Sequence, residues 1–145
     1  MPIRIVRLGE PRSADEGLRL GTVRRPPRGV PKAEFASRDF YDVWLPNLSP
    51  SAELVAVALQ AAAGEDAAAW KTFTAKYKRE MTQPDPAHLL ELLVAMSKQT
   101  NFSLGCYCAD EAWCHRSVLR AMLEERGAKI AACEGREWTE GLAGC

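Results

Sequence analysis

The segment Cys106 to Arg116, CYCADEAWCHR, puts three of the chain's five cysteines, one of its two histidines and an arginine within eleven residues. These residue types support three chemistries: a reactive thiol with a proton carrier, a soft-metal site, or simple packing of small apolar side chains. Which one applies depends on where the surrounding elements place the sulfurs.

A strand ending near Cys108 and a helix opening near Asp110 would put Cys114, His115 and Arg116 in that helix's first turns. Unpaired N–H groups and the positive dipole end favour an anion or a thiolate there, and the Arg116 guanidinium adds a planar fork suited to phosphate or carboxylate. Cys114 is the candidate nucleophile or redox thiol, His115 the candidate proton carrier, and Arg116 the candidate anion ligand. Asp110 and Glu111 act against a thiolate. Neighbouring residues on a helix point about 100° apart, so a direct Cys114–His115 hydrogen bond is not expected.

The metal reading uses Cys106, Cys108 and Cys114. The first two, spaced by two, share one face of an extended strand, and the third approaches from the helix start. Zinc would need a fourth ligand. Iron is a further option, although no C-x-x-C-H haem-attachment sequence is present. In the packing reading all three cysteines are core residues, as free cysteine often is. The other histidine, His88, falls in the first turn of an expected helix and reads as solvated.

A second constellation lies between Glu16 and Glu34, where Arg19, Arg24, Arg25, Arg28 and Lys32 meet no acidic residue. Prolines 26, 27 and 31 with Gly29 would stiffen this loop into a cradle for phosphate or carboxylate. Convergence of Arg24 or Arg28 on Arg116 would complete a pocket for a small anion such as a nucleotide or phosphorylated metabolite. A nucleic-acid module is a weaker reading, because 19 basic and 19 acidic residues cancel and leave no global field.

The positioning elements follow from pattern. Ile3 to Leu8 alternates apolar and basic residues as a half-buried strand does; Leu18–Val23 and Asp39–Leu45 suggest two more strands. Ser49 and Pro50 read as cap and first residue of a helix to about Ala63. A helix over Ala67–Met81 puts Trp70, Phe73, Tyr77 and Met81 on one stripe, read as core. Asp85 and Pro86 open a third helix with Leu89, Leu92, Leu93 and Met96 inward. NFSLGCYC forms a strand with Phe102, Leu104 and Cys106 on one side. A helix capped by Asp110 buries Val118, Leu119, Met122 and Leu123 and stops at Gly127. AKIAAC suggests a last strand.

Strands interleaved with helices, without repeats, indicate an α/β fold: one small domain over residues 1–133, a mostly parallel or mixed sheet covered by helices, and a tail over 134–145. At 145 residues and 47% hydrophobic composition the chain can bury a core without staples. No run approaches the ~20 apolar residues of a membrane span, and no signal-peptide stretch opens the chain, so a cytoplasmic protein with free thiols is expected.

Several of these segments resemble the domain-of-unknown-function 488 family of small bacterial α/β proteins. The likeness runs from about Ile3 to Lys129 and rests on PRG at Pro27–Gly29, SPSAEL at Ser49–Leu54, WKTFTAKYKREM at Trp70–Met81, and CYC with CHR between Cys106 and Arg116. One branch of that family carries Asp-Arg and a Trp before PRG; here Val23 precedes Arg24 and Pro26 stands in the Trp position. The resemblance implies a single α/β domain with a site on Cys106, Cys114, His115 and Arg116. It names no substrate.

Overall fold

The computed structural model describes residues 2–131. Four strands, β1 (Ile3–Arg7), β2 (Leu18–Gly21), β3 (Val43–Trp44) and β4 (Phe102–Cys106), form one parallel sheet in the order β1-β4-β2-β3. Four helices follow from the sequence: α1 (Ala52–Gly64), α2 (Ala67–Glu80), α3 (Pro84–Met96) and α4 (His115–Glu125). The α/β expectation holds, with a sheet that is wholly parallel.

The last strand in sequence lies inside the sheet. Phe102 pairs with both Ile3 and Leu18, and Gly105 with both Val6 and Gly21. All five β4 residues are buried, as for a parallel strand covered on both faces. One face carries Ile3, Leu20, Phe102 and Leu104 into a core shared with Phe73, Tyr77, Leu90, Leu119 and Leu123. On the other, Ser103 donates to Glu16, whose carboxylate also holds the buried Arg19 guanidinium at 2.7 Å. The register partners Gly21 and Gly105 leave that face bare, and Tyr41 and Leu8 lie directly on the backbone; a Cβ at Gly21 would come within 2.5 Å of the Tyr41 ring.

Several boundaries differ from expectation. Ser51, not Ser49, caps α1, its hydroxyl accepting from Leu54 N–H at 3.4 Å, because Pro46–Leu48 forms a 3-10 turn that leaves Ser49 extended. Gln83 rather than Asp85 precedes α3, and Leu92 points outward at 53% exposure while Leu90 and Leu93 fill the core. Asp39 sits at φ 59° in a turn, which confines the third strand to Val43–Trp44. The expected final strand is represented by one parallel bridge, Ile3 to Ile130. The rest of it and the expected tail from 134 lie outside the described residues. Among the described residues no helix is long and apolar enough to cross a membrane.

Candidate functional site

The three cysteines gather at the carboxyl end of the parallel sheet, the edge where open α/β sheets hold ligands. Cys106 is the final residue of β4, and Cys108 follows in the loop. Asp110 does cap a helical turn, but it is the short 3-10 turn Glu111–Trp113, its carboxylate accepting from Ala112 N–H at 3.0 Å. The chain then extends through Cys114 (φ −125°, ψ 151°) before α4 begins at His115. Cys114 is therefore the residue that precedes the helix, and its sulfur is not committed to capping a backbone N–H.

This extended residue overturns the expectation about Cys114 and His115. The 100° argument applies to two helical residues, and Cys114 is not one. Its Sγ lies 3.6 Å from His115 Nδ1. The ring's other nitrogen, Nε2, sits 2.8 Å from the Thr22 carbonyl and 3.0 Å from the Thr22 hydroxyl. A carbonyl only accepts, so Nε2 carries a hydrogen, and in the neutral ring Nδ1 presents its lone pair to Cys114. Tyr77 meets the imidazole edge-on at 5.7 Å and fixes its plane, while its own hydroxyl donates to Leu48 O at 2.7 Å.

Arg116 is turned inward, 3% exposed. Its two terminal nitrogens donate to Val6 O and Cys108 O, each at 2.6 Å, and Nε donates to Cys114 Sγ at 3.4 Å. Three arginines are buried among the described residues. Arg19 has Glu16 and Arg120 has Glu111, the latter in a two-pronged pair at 3.0 Å. Arg116 has no carboxylate within ion-pair reach among the described residues; its third partner is sulfur. A buried cation without a counter-ion is costly, so Arg116 favours a negative charge on Cys114. Arg120 also neutralises Glu111, which removes much of that residue's opposition to a thiolate.

The sulfurs act as a set. Hydrogen bonding with Cys106 and Cys108 holds Cys114 well below the ordinary thiol range despite its burial, and a protonated His115 would lower it further. Hydrogen bonding to Cys108 and Cys114, with burial, pushes Cys106 up. Cys108 accepts from Cys106, which favours its charged form, but its bond to Cys114 and its desolvation outweigh that and push it up to about 11. Of the three sulfurs, Cys114 is therefore the one that most readily carries a negative charge. The same donors suit a soft metal: Cys106, Cys114 and His115 place ligand atoms within 4.8 Å of one another, and Cys108 Sγ is 3.9 Å from Cys106 Sγ. His115 is the nitrogen ligand that the all-sulfur set lacked, with the Thr22 carbonyl as the outer-shell anchor such ligands usually have.

These groups border a cavity of about 410 Å³. Phe73, Trp113, Val55, Ala58 and Leu59 give it apolar walls, and Arg24 and Arg25 line it from the basic loop. Arg24 Nε donates to Pro50 O at 2.9 Å. The expected convergence of the basic loop on Arg116 is not found: Arg24 reaches the cavity, Arg28 is exposed and does not line it, and Arg116 lies behind the sulfurs. His88 is exposed on α3.

Residues 3–127 match the family model described as the active DUF488-N3 subclade. The chain belongs to the DUF488 family. No curated protein and no solved structure matches it significantly.

The family match spans both the basic loop and the Cys-His-Arg segment. Sequence reasoning missed Thr22, Phe73 and Trp113 as site residues. Trp113 lies inside the cysteine segment itself, and Phe73 belongs to a stripe read as core and also lines the cavity.

Proposed function

We propose that this DUF488 protein uses Cys114 as a nucleophilic thiolate at the wall of the apolar cavity. The carrying observation is the sulfur's pairing with Arg116, a buried guanidinium that has no carboxylate partner among the described residues. His115 Nδ1 takes the thiol proton, its ring oriented by the Thr22 carbonyl, an arrangement of nucleophile, base and orienting group. Arg116 in this reading holds the thiolate rather than a separate anion. The subclade description as active accords with retained chemistry, and a reducing cytoplasm would keep the three thiols free.

The test is competitive alkylation with limiting iodoacetamide under reducing conditions, mapped by peptide mass spectrometry. Cys114 is expected to label first and the Cys114→Ser chain to lose the fast phase. Preferential labelling of Cys108 would refute the assignment.

A second reading is favoured by the ligand geometry of Cys106, Cys114 and His115: a zinc centre with one position open toward the cavity, or closed by Cys108. Zinc bound at one per chain, with Cys114 labelling appearing only after chelation, would select it over the free thiolate.

A further inference from the structure

The cavity joins two features that select one kind of ligand. Its walls are apolar and partly aromatic, from Val55, Leu59, Phe73 and Trp113, and no carboxylate lines it among the described residues. Arg24 and Arg25 line the same cavity and are both solvent-exposed. Among the described residues, the Arg24 Nε bond to Pro50 O leaves its two terminal nitrogens without partners, and the Arg25 guanidinium has no hydrogen-bond partner. The Arg25 backbone is itself anchored, its carbonyl accepting from Tyr107 OH at 2.9 Å. Two adjacent guanidinium groups therefore border an apolar chamber with their donors available.

We propose that the cavity binds a small organic phosphate monoester with an aromatic or branched aliphatic body. The body displaces water from the apolar walls, and the phosphate, a dianion with three strong acceptors, takes donors from Arg24 and Arg25. A volume of about 410 Å³ accommodates a ligand of that size. Inorganic phosphate would leave the walls wet, and a neutral apolar molecule would leave the two cations unanswered, so each fragment alone binds more weakly than the whole. This assignment deepens the Cys114 reading by naming what the thiolate would meet, but its physical basis is the chamber and the two arginines.

The experiment is isothermal titration with 1-naphthyl phosphate, 1-naphthol and inorganic phosphate, on the Cys114→Ser chain so that no covalent event intervenes. The expected result is at least tenfold tighter binding of 1-naphthyl phosphate than of either fragment. In the Arg24→Ala/Arg25→Ala double variant its affinity should fall to that of 1-naphthol, whose own affinity stays unchanged, and Arg28→Ala should leave all three alone. Equal affinity for 1-naphthyl phosphate and 1-naphthol, no binding of either, or an equal loss for both in the double variant would overturn the assignment. Iodoacetamide labelling of the unaltered chain separates the two readings: fast Cys114 labelling without phosphate selectivity sinks the ligand class alone, and phosphate selectivity with an inert Cys114 sinks the nucleophile alone.

Discussion

Arg116 Nε donates to the sulfur of Cys114 at 3.4 Å, while the other two arms of the same guanidinium hold the Val6 and Cys108 carbonyls. One side chain thereby ties the end of β1, the loop after β4 and the start of α4 to a single sulfur. Charge balance and loop geometry both depend on it.

Replacing Arg116 with Ala should lower stability by about 3–5 kcal/mol, the usual cost of leaving one member of a buried charge pair alone. Urea denaturation reads the loss. Arg116→Lys keeps the charge but not the fork, so it should recover only part of that stability. A variant as stable as the unaltered chain would remove Arg116 from this role.

Cys114 should react with iodoacetamide at pH ~6.5, where an ordinary thiol of pKa ~8.5 is almost wholly protonated. Cys108, pushed up to about 11, should stay unreactive there. Rate against pH, followed at each cysteine by mass spectrometry, checks the contrast; parallel profiles would refute it.

His115→Asn removes the imidazole beside the sulfur, one of the groups that holds the Cys114 thiol low, and should shift the rate profile of Cys114 alkylation to higher pH. Thr22→Val keeps the backbone carbonyl and should change the rate far less, while costing about 1 kcal/mol through the lost hydroxyl bond to Gly105 O.

Acid stability should track Glu16. Burial alone would raise its carboxyl, but the hydrogen bonds from Arg19 and Ser103 outweigh this and hold it below the ordinary value. A carboxyl depressed on folding contributes stability that is fully present above the unfolded pKa of ~4.3 and is lost as pH falls through the folded value. Melting temperature should therefore drop below pH ~4. Glu16→Gln should flatten that drop and cost about 3–5 kcal/mol at neutral pH by stranding Arg19.

Patterned features were legible in the sequence. The spacing of Trp70, Phe73, Tyr77 and Met81 located α2 and its buried face, and the cysteine segment marked the candidate site. What stayed hidden depends on the backbone. Asp110 is a good cap, yet nothing local shows that it caps one 3-10 turn before an extended Cys114. The Thr22 carbonyl that orients His115 carries no residue-type signal. Arg24, Arg25 and Arg28 look equivalent in a string, and only the path of the proline-rich loop separates the two that reach the cavity from the one that does not.

The sheet order has a consequence for how the chain comes together during synthesis. β1 and β2 are not neighbours; each pairs with β4, which leaves the ribosome about eighty residues after β2. Until Phe102–Cys106 emerges, both early strands have open edges, and such long-range parallel pairing is slow and exposed to aggregation. The strand that closes the sheet also delivers Cys106 and leads straight into Cys114 and Arg116. Nascent chains lacking this last third hold none of the three clustered cysteines, so the candidate site forms in the same event that completes the sheet.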